Sequence, residues 1–197
     1  MKKTELILKE MNKNNGIITS ARVKELGIDK KFLKILLEQE SIERVNRGLY
    51  QLKDTLTDEY YAKLYGIKNA IYSHMTALYF HNLSNRVPML YDVTVHKRYY
   101  GALCKDKKIV IHKIDKELLE LGKIKILSPQ GQEINVYDVE RCLCDCLKDK
   151  KTIASEYLKK AFLLYFKEIR KDTFKLMKYA KKLGIEEEMH DYLEVLL

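Results

Sequence analysis

Three cysteines in one predicted helix carry the most reactive side chains of the sequence. Cys142, Cys144 and Cys146 alternate along the chain, so Cys142 and Cys146 share a helix face and Cys144 points away from it. The three thiols therefore cannot converge on one ion, and zinc sites usually present cysteines as pairs on turns. We interpret them as small core residues or unpaired thiols, and we predict no metal site.

Two histidines also lie on one predicted helix face. His74 and His81 are seven residues apart, which is two helical turns or roughly 10 Å along the axis. One ion cannot be held across that distance without a third element. We therefore predict structural histidines.

Other catalytic signals are weak. The sequence contains no phosphate-binding glycine loop, no zinc-protease helix and no nucleophile elbow. Asp115 and Glu117 could serve as nuclease-like acids, and a nucleic-acid enzyme stays open as an alternative. We predict no catalytic residues and no cofactor.

DNA binding is the chemistry that the sequence favours, in residues 29–52. Asp29 is suited to cap a helix on which Leu33 and Leu36 form an apolar stripe and lysines occupy the other side. A β-hairpin follows, and its turn Asn46-Arg47-Gly48 ends in a glycine that can take a positive φ. Two earlier helices, near residues 2–12 and 21–26, complete the order of a winged helix-turn-helix. The candidate DNA-binding residues are Thr19, Ser20, Arg22, Lys30, Lys31, Lys34, Arg44, Asn46 and Arg47.

The predicted fold class is α+β, with the winged helix-turn-helix at residues 1–56 and a mixed α+β domain at residues 57–197. Alternating residues predict strands at 91–96, 109–111, 123–127 and 133–136, which we expect to form an antiparallel sheet. Asp138 is expected to cap a helix to Leu147. Three helices, at about 152–170, 173–183 and 186–196, end the chain.

Positive charge is concentrated near the C-terminus. The net charge is +9, and residues 148–182 alone carry 12 Lys/Arg against 4 Asp/Glu, whereas residues 183–197 carry only acids. This imbalance favours a basic C-terminal surface that binds DNA or an acidic partner. Its residues are Lys159, Lys160, Lys167, Arg170, Lys171, Lys175, Lys178 and Lys182. The alternative is a solvated outer face, with Phe162, Tyr165 and Phe174 on the inner face.

Composition places the protein in the cytoplasm. No apolar run approaches the ~20 residues of a membrane span. Four cysteines without an export signal fit a reducing compartment. The sequence shows no long heptad repeat of apolar residues that would form a permanent coiled-coil dimer. We therefore expect a monomer or a weak dimer that assembles on DNA.

Three stretches also carry a family resemblance. In order they are Ile42–Tyr50 (IERVNRGLY), Ala70–Leu78 (AIYSHMTAL) and Ile134–Arg141 (INVYDVER). Together they resemble the AbiEi-type antitoxins of type IV abortive-infection toxin–antitoxin systems, over nearly the whole chain. The resemblance implies a winged-helix repressor of its own operon, bound at inverted repeats, that counteracts a nucleotidyltransferase-like toxin and so takes part in phage resistance. Glu40 departs from the pattern, because such modules often have a glycine after the recognition helix.

A second function stays open from the residues themselves. The chain would also suit a winged-helix transcriptional regulator whose α+β domain senses a small ligand. A clear apolar pocket in the second module would favour that function.

Overall fold

The computed structural model describes residues 2–168 and 171–196. They form a mixed α+β fold with two sheets, and the chain divides into two compact units. The first unit comprises the chain up to Lys68 together with Leu127–Ile134, and the second comprises Asn69–Ile126 with Asn135–Leu197.

The first unit packs short helices on a three-stranded sheet. Its elements are α1 (Lys3–Lys13), β1 (Ile17–Thr19), α2 (Ser20–Glu25), α3 (Lys31–Glu38), β2 (Ile42–Asn46), β3 (Leu49–Leu52) and α4 (Glu59–Leu64). The strands are antiparallel in the order β1-β3-β2. The apolar stripes of α1 and α3 meet in a core that includes Ile7, Met11, Leu33 and Leu36.

Local capping sets the ends of α2 and α3. The Thr19 hydroxyl accepts a hydrogen bond from the Arg22 amide at 3.0 Å and caps α2. Gly27 takes a φ of +68° just after α2, the left-handed conformation that glycine adopts without strain. Asp29 accepts from the Lys31 amide at 2.8 Å, but the N-cap residue of α3 is Lys30, so Asp29 lies one residue before its predicted capping position.

The β2–β3 hairpin is braced by the residues around its turn. Gly48 has a φ of +78°, and a Cβ there would meet the Ser20 hydroxyl at 2.9 Å. Asn46 accepts from the Arg47 amide at 2.7 Å and donates to the carbonyl of Ala62 at 2.9 Å. The Tyr65 hydroxyl donates to the Gly48 carbonyl at 3.3 Å. Because these bonds hold residues 59–65 against the hairpin, the first unit extends past residue 56.

The second unit contains the remaining elements. They are β4 (Ile71–Tyr72), α5 (His74–Phe80), β5 (Tyr91–His96), a 3-10 turn (Ala102–Lys105), β6 (Ile109–Ile114), α6 (Lys116–Leu119), β7 (Lys123–Leu127), β8 (Glu133–Tyr137), α7 (Val139–Lys148), α8 (Ser155–Lys167), α9 (Thr173–Leu183) and α10 (Glu186–Leu196). Asp138 caps α7 through the Arg141 amide at 3.0 Å, as predicted. The predicted helix 152–170 is observed as α8, and residues 169 and 170 lie outside the described residues.

The second sheet is mixed: β4 and β5 pair antiparallel, but the expectation of an antiparallel sheet is wrong for two other strand pairs. The strand order is β6-β5-β4-β8-β7, in which β5 pairs parallel with β6 and β4 pairs parallel with β8. The physical reason is the two-residue strand β4, which the sequence pattern did not indicate and which separates β5 from β8. The chain between β5 and β6 also crosses back before β6 begins, so the two strands run in the same direction.

Helix α7 lies in the core of the second unit. Cys142, Cys144 and Cys146 are completely buried in it, and all four cysteines of the chain, each among the described residues, are free. This confirms them as core residues. Burial raises the pKa of all three buried thiols. In residues 2–168 and 171–196, no helix combines the length and apolarity that crossing a bilayer requires.

Glu40 gives the first prediction. It has a φ of +53° after the end of α3, a conformation that costs a side-chain-bearing residue roughly 1–2 kcal/mol. We expect Glu40→Gly to raise the free energy of unfolding by about 0.5–1 kcal/mol, because glycine removes the backbone strain. The gain is smaller than the strain itself, since glycine also has greater conformational freedom in the unfolded chain. Urea denaturation measures this. Gln39→Gly, at an adjacent position with a φ of −80°, should instead destabilise the protein. A loss of stability in Glu40→Gly would contradict the strain argument.

Candidate functional site

The exposed side of α3 is cationic. Lys30, Lys31 and Lys34 are exposed, while Leu33 and Leu36 on the opposite side are buried. Lys34 lies 3.7 Å from Glu38, a surface ion pair that contributes little. The three ammonium groups can therefore meet an anionic partner.

The β2–β3 hairpin adds two exposed arginines in the same unit. Arg44 and Arg47 are both exposed, and the Arg44 Nε donates to the carbonyl of Asn46 at 3.3 Å. That bond keeps the Arg44 guanidinium close to the hairpin turn. The hairpin thus presents its positive charges near its tip.

Four other predicted DNA-binding residues have structural partners. Thr19 caps α2, the Ser20 amide donates to the Gly48 carbonyl at 2.8 Å, and Asn46 uses its side chain to shape the turn. Arg22 pairs with Glu10 at 2.7 Å and Glu25 at 3.3 Å. These residues position α2 and the hairpin.

The second unit gathers a group that the sequence analysis missed, which we name the histidine–aspartate cluster: His74, His112 and Asp149. The Nε2 of His74 and the Nδ1 of His112 each lie 3.2 Å from the same Asp149 oxygen, Oδ2. The two rings stack with centroids 3.6 Å apart and planes 17° from parallel. His81 is separate and lies 2.8 Å from the carbonyl of Tyr137, a structural role as predicted.

Three different elements position this cluster. His74 begins α5 with a φ of +47°, an uncommon conformation for a residue other than glycine. His112 lies on β6, opposite Thr94 of β5, and Asp149 ends α7. A signal did exist in the sequence, because Asp92, Thr94 and His112 are polar residues on strands rich in valine and isoleucine. Their proximity depends on the parallel β5–β6 pairing, which the sequence did not predict.

The carboxylates around His112 favour its protonated form. Burial lowers the pKa of His112, but hydrogen bonds and charges from Asp92 and Asp149 outweigh it and raise the pKa above its ordinary value. The hydrogen bond from His74 lowers the pKa of Asp149. A cation near Asp149 is therefore favoured.

A cavity of about 850 Å³ adjoins the cluster within the second unit. Met75, Met89, Leu90 and Tyr157 contribute to its mostly apolar wall, and His74, His112 and Asp92 also line it. This volume lies in the range of small-molecule sites. Asp115, the nuclease-like candidate, is exposed and pairs with Lys97.

The basic C-terminal surface is smaller than its lysine count suggests. Most of its described members are exposed: Lys159, Lys160, Lys167, Lys171, Lys178 and Lys182. Arg170 lies outside the described residues. Lys175, in contrast, lies 2.8 Å from Glu140 and 3.0 Å from Asp138, two acids of the α7 N-terminus that are nearly buried. Burial opposes its charge, but both carboxylates outweigh burial and raise the pKa of Lys175.

The inner face of α9 also differs from expectation. Phe162 and Tyr165 of α8 are buried as predicted, but Phe174 is 80% exposed, so its predicted place on the inner face is wrong. Helix α9 turns Leu176, Ala180 and Leu183 inward. In this orientation of α9, Lys175 lies against α7 and Phe174 is exposed to solvent.

The second prediction compares the stability effect of Lys175, which pairs with two nearly buried acids, with that of a solvent-exposed lysine. Lys175→Met should lower the free energy of unfolding by about 1–3 kcal/mol, because two nearly buried carboxylates lose their partner while partial exposure limits the loss. Lys178→Met, at an exposed position of the same helix, should change it by less than about 0.5 kcal/mol. Thermal or urea denaturation of both variants tests this. Equal stabilities would contradict a structural role for Lys175.

Comparison with known proteins identifies no family. No protein-family model matches the sequence, and a search of curated proteins gives no match. Among solved structures, the chain is similar to the crystal structure of the RV2827C protein from Mycobacterium tuberculosis, with a TM-score of 0.49 and 10% sequence identity. The similarity covers 92% of this chain and 75% of that chain. A similarity at this level says nothing about activity.

Proposed function

We propose that the first unit is a winged helix-turn-helix that binds specific sequences of double-stranded DNA. The observation that carries the proposal is the exposure of the α3 lysines and the hairpin arginines on one compact unit. The element order α1-β1-α2-α3-β2-β3 and the strand order β1-β3-β2 support it. In such a module the second helix of the pair enters the major groove and the hairpin contacts the backbone.

Helix α3 has suitable dimensions and polarity for the major groove. Its eight residues span about 12 Å, comparable to the width of that groove. Its apolar side is held by the core, so Lys30, Lys31 and Lys34 face outward on a rigid support. Lysine can contact either phosphates or guanine edges.

The hairpin would contact phosphates through Arg44 and Arg47. Its position relative to α2 is fixed, because the Ser20 amide donates to Gly48 and a glycine is required where the two segments touch. A rigid hairpin loses less conformational entropy on binding than a mobile one.

The family resemblance extends the proposal to the whole chain. We infer a cytoplasmic antitoxin that represses its own promoter at inverted repeats and counteracts a nucleotidyltransferase-like toxin. A monomer or weak dimer would assemble on adjacent half-sites. The basic C-terminal surface of the second unit would then bind either DNA beside the half-site or an acidic surface of the toxin.

A second candidate function is a winged-helix regulator whose second unit senses a small ligand. The 850 Å³ cavity favours it, because a mostly apolar wall with a few polar groups is typical of ligand sites. The two functions differ in a simple observation. A regulator of this kind would change its DNA affinity on ligand binding and would not protect cells from a toxin.

The third prediction concerns DNA binding. With the duplex of its own promoter, the protein should bind more tightly than with random DNA, and affinity should fall as salt rises. Lys31→Ala and Lys34→Ala each remove one contact. Loss of a phosphate contact should lower the slope of log binding constant against log salt concentration by about one, and loss of a base contact should relax the sequence preference. Lys9→Ala, an exposed lysine on α1, is the matched control. Gel-shift titrations at several salt concentrations measure both effects, and equal affinity for random DNA would refute specific binding.

The fourth prediction concerns toxin protection and uses full-length chains. Truncation is unsuitable, because residues 127–134 belong to the first unit, where Ser128 donates to Asp58 at 2.5 Å. Variant one carries Lys30→Glu, Lys31→Glu and Lys34→Glu, and should lose operator binding but keep protection. Variant two carries Lys160→Glu, Lys167→Glu, Lys178→Glu and Lys182→Glu, leaves Lys175 intact, and should lose protection while remaining folded.

Growth after co-expression with the toxin decides between the outcomes, with circular dichroism as the folding control. Reversal of four charges at a charged interface should cost several kcal/mol of binding. Full protection by variant two would remove the basic C-terminal surface from toxin neutralisation.

A further inference from the structure

We propose that the histidine–aspartate cluster binds a divalent transition-metal ion such as Zn²⁺, with a coordination position left open toward a cavity of about 290 Å³ that all three residues line. The donor atoms are His74 Nε2, His112 Nδ1 and Asp149 Oδ2, and all lie within 4.8 Å of one another. The site belongs to the second unit and is independent of DNA binding by the first.

The spacing of the donor atoms suits such an ion. Zinc binds imidazole nitrogen and carboxylate oxygen at about 2.0–2.2 Å, which places tetrahedral ligand atoms about 3.3 Å apart. Asp149 Oδ2 lies 3.2 Å from His74 Nε2 and 3.2 Å from His112 Nδ1. Imidazole and carboxylate are also the ligand types that zinc accepts at sites open to solvent or substrate.

Each ring has a hydrogen-bonding partner on the side away from its coordinating nitrogen. His112 Nε2 lies 2.9 Å from Asp92 Oδ1, and His74 Nδ1 lies 2.9 Å from the Ser73 hydroxyl. The Ser73 oxygen accepts from the Thr94 hydroxyl at 2.8 Å. Metal-binding histidines usually donate their second ring N–H to such a partner, which fixes the tautomer.

The stacked rings define the adjustment that metal binding needs. A metal ion binds near the plane of each coordinating imidazole ring. The two ring planes are stacked and only 17° from parallel, so no point between the two nitrogens lies in both planes. One ring must therefore turn when the ion binds. His112 can turn, because it lies on the edge strand β6 and lines the cavity. His74 is buried to 4% exposure and held by Ser73, so it provides the fixed ligand.

Three protein ligands leave room for a fourth. All three ligand residues line a cavity of about 290 Å³, so water or a group of a bound small molecule would complete the coordination. Closed structural zinc sites use four protein ligands, whereas sites that bind or activate a molecule keep one position open. The proposed ligand class is therefore a divalent ion together with water or a small molecule that bears one donor group.

Calorimetric titration of EDTA-treated, full-length protein with Zn²⁺ tests the site. We expect one ion per chain. Asp149→Asn and His112→Gln should each weaken binding by a factor of at least ten, and Asp92→Asn, which removes only the support of His112, by about 10–100-fold. His190→Gln changes an exposed histidine on α10 and is the matched control.

Co²⁺ spectroscopy identifies the ligand atoms, and circular dichroism shows that each variant is folded. Visible absorption of tetrahedral Co²⁺ without a thiolate charge-transfer band is the expected result. A strong thiolate band would assign the ion to a cysteine such as Cys104 and overturn the proposal. Absent one-to-one binding, or unchanged affinity in Asp149→Asn and His112→Gln, would overturn it equally.

Discussion

A buried guanidinium holds the second unit together. Arg141 is completely buried in α7, where its Nε donates to Asp145 at 2.9 Å and its Nη1 donates to the carbonyls of Leu118 and Leu121 at 2.8 Å each. The guanidinium also lies 4.2 Å from the centre of the Tyr137 ring. A charge without such partners would be too costly to bury. Arg141 therefore ties α6 and β8 to α7, and a Cβ at Gly122 would come within 2.7 Å of the Arg141 Cβ.

Both ends of α7 depend on that anchor. At its N-terminus, Asp138 and Glu140 hold Lys175 of α9, and Tyr165 of α8 donates to Glu140 at 3.2 Å. At its C-terminus, Asp149 meets the two histidines. The same helix thus organises the C-terminal helices and presents one side of the histidine–aspartate cluster.

The sequence predicted what local interactions determine. The caps at Thr19 and Asp138 and the turn at Gly48 depend on neighbours a few residues away, so their patterns could be recognised. The two-residue strand β4 is too short for a pattern, and the direction of β6 depends on the crossover that precedes it. His112 became a candidate only when that pairing placed it beside His74 and Asp149, residues 38 or fewer positions away along the chain but in other elements. The net charge of the segment also did not indicate that Lys175 forms ion pairs, because its partners, Asp138 and Glu140, lie at the start of a different helix.

The cluster contains more unfavourable local features than packing alone requires. His74 holds a left-handed backbone that costs of order 1–3 kcal/mol, although glycine or asparagine would adopt it more easily. Its ring stacks on a second histidine, and both meet one carboxylate at the wall of a cavity. An apolar residue at either position would satisfy the core without burying polar nitrogens. Strain and buried polar groups tend to coincide at functional sites, because the surrounding structure holds them for chemistry that the fold itself does not need. This physical cost is the reason to propose a function for the second unit that is separate from the DNA binding proposed for the first.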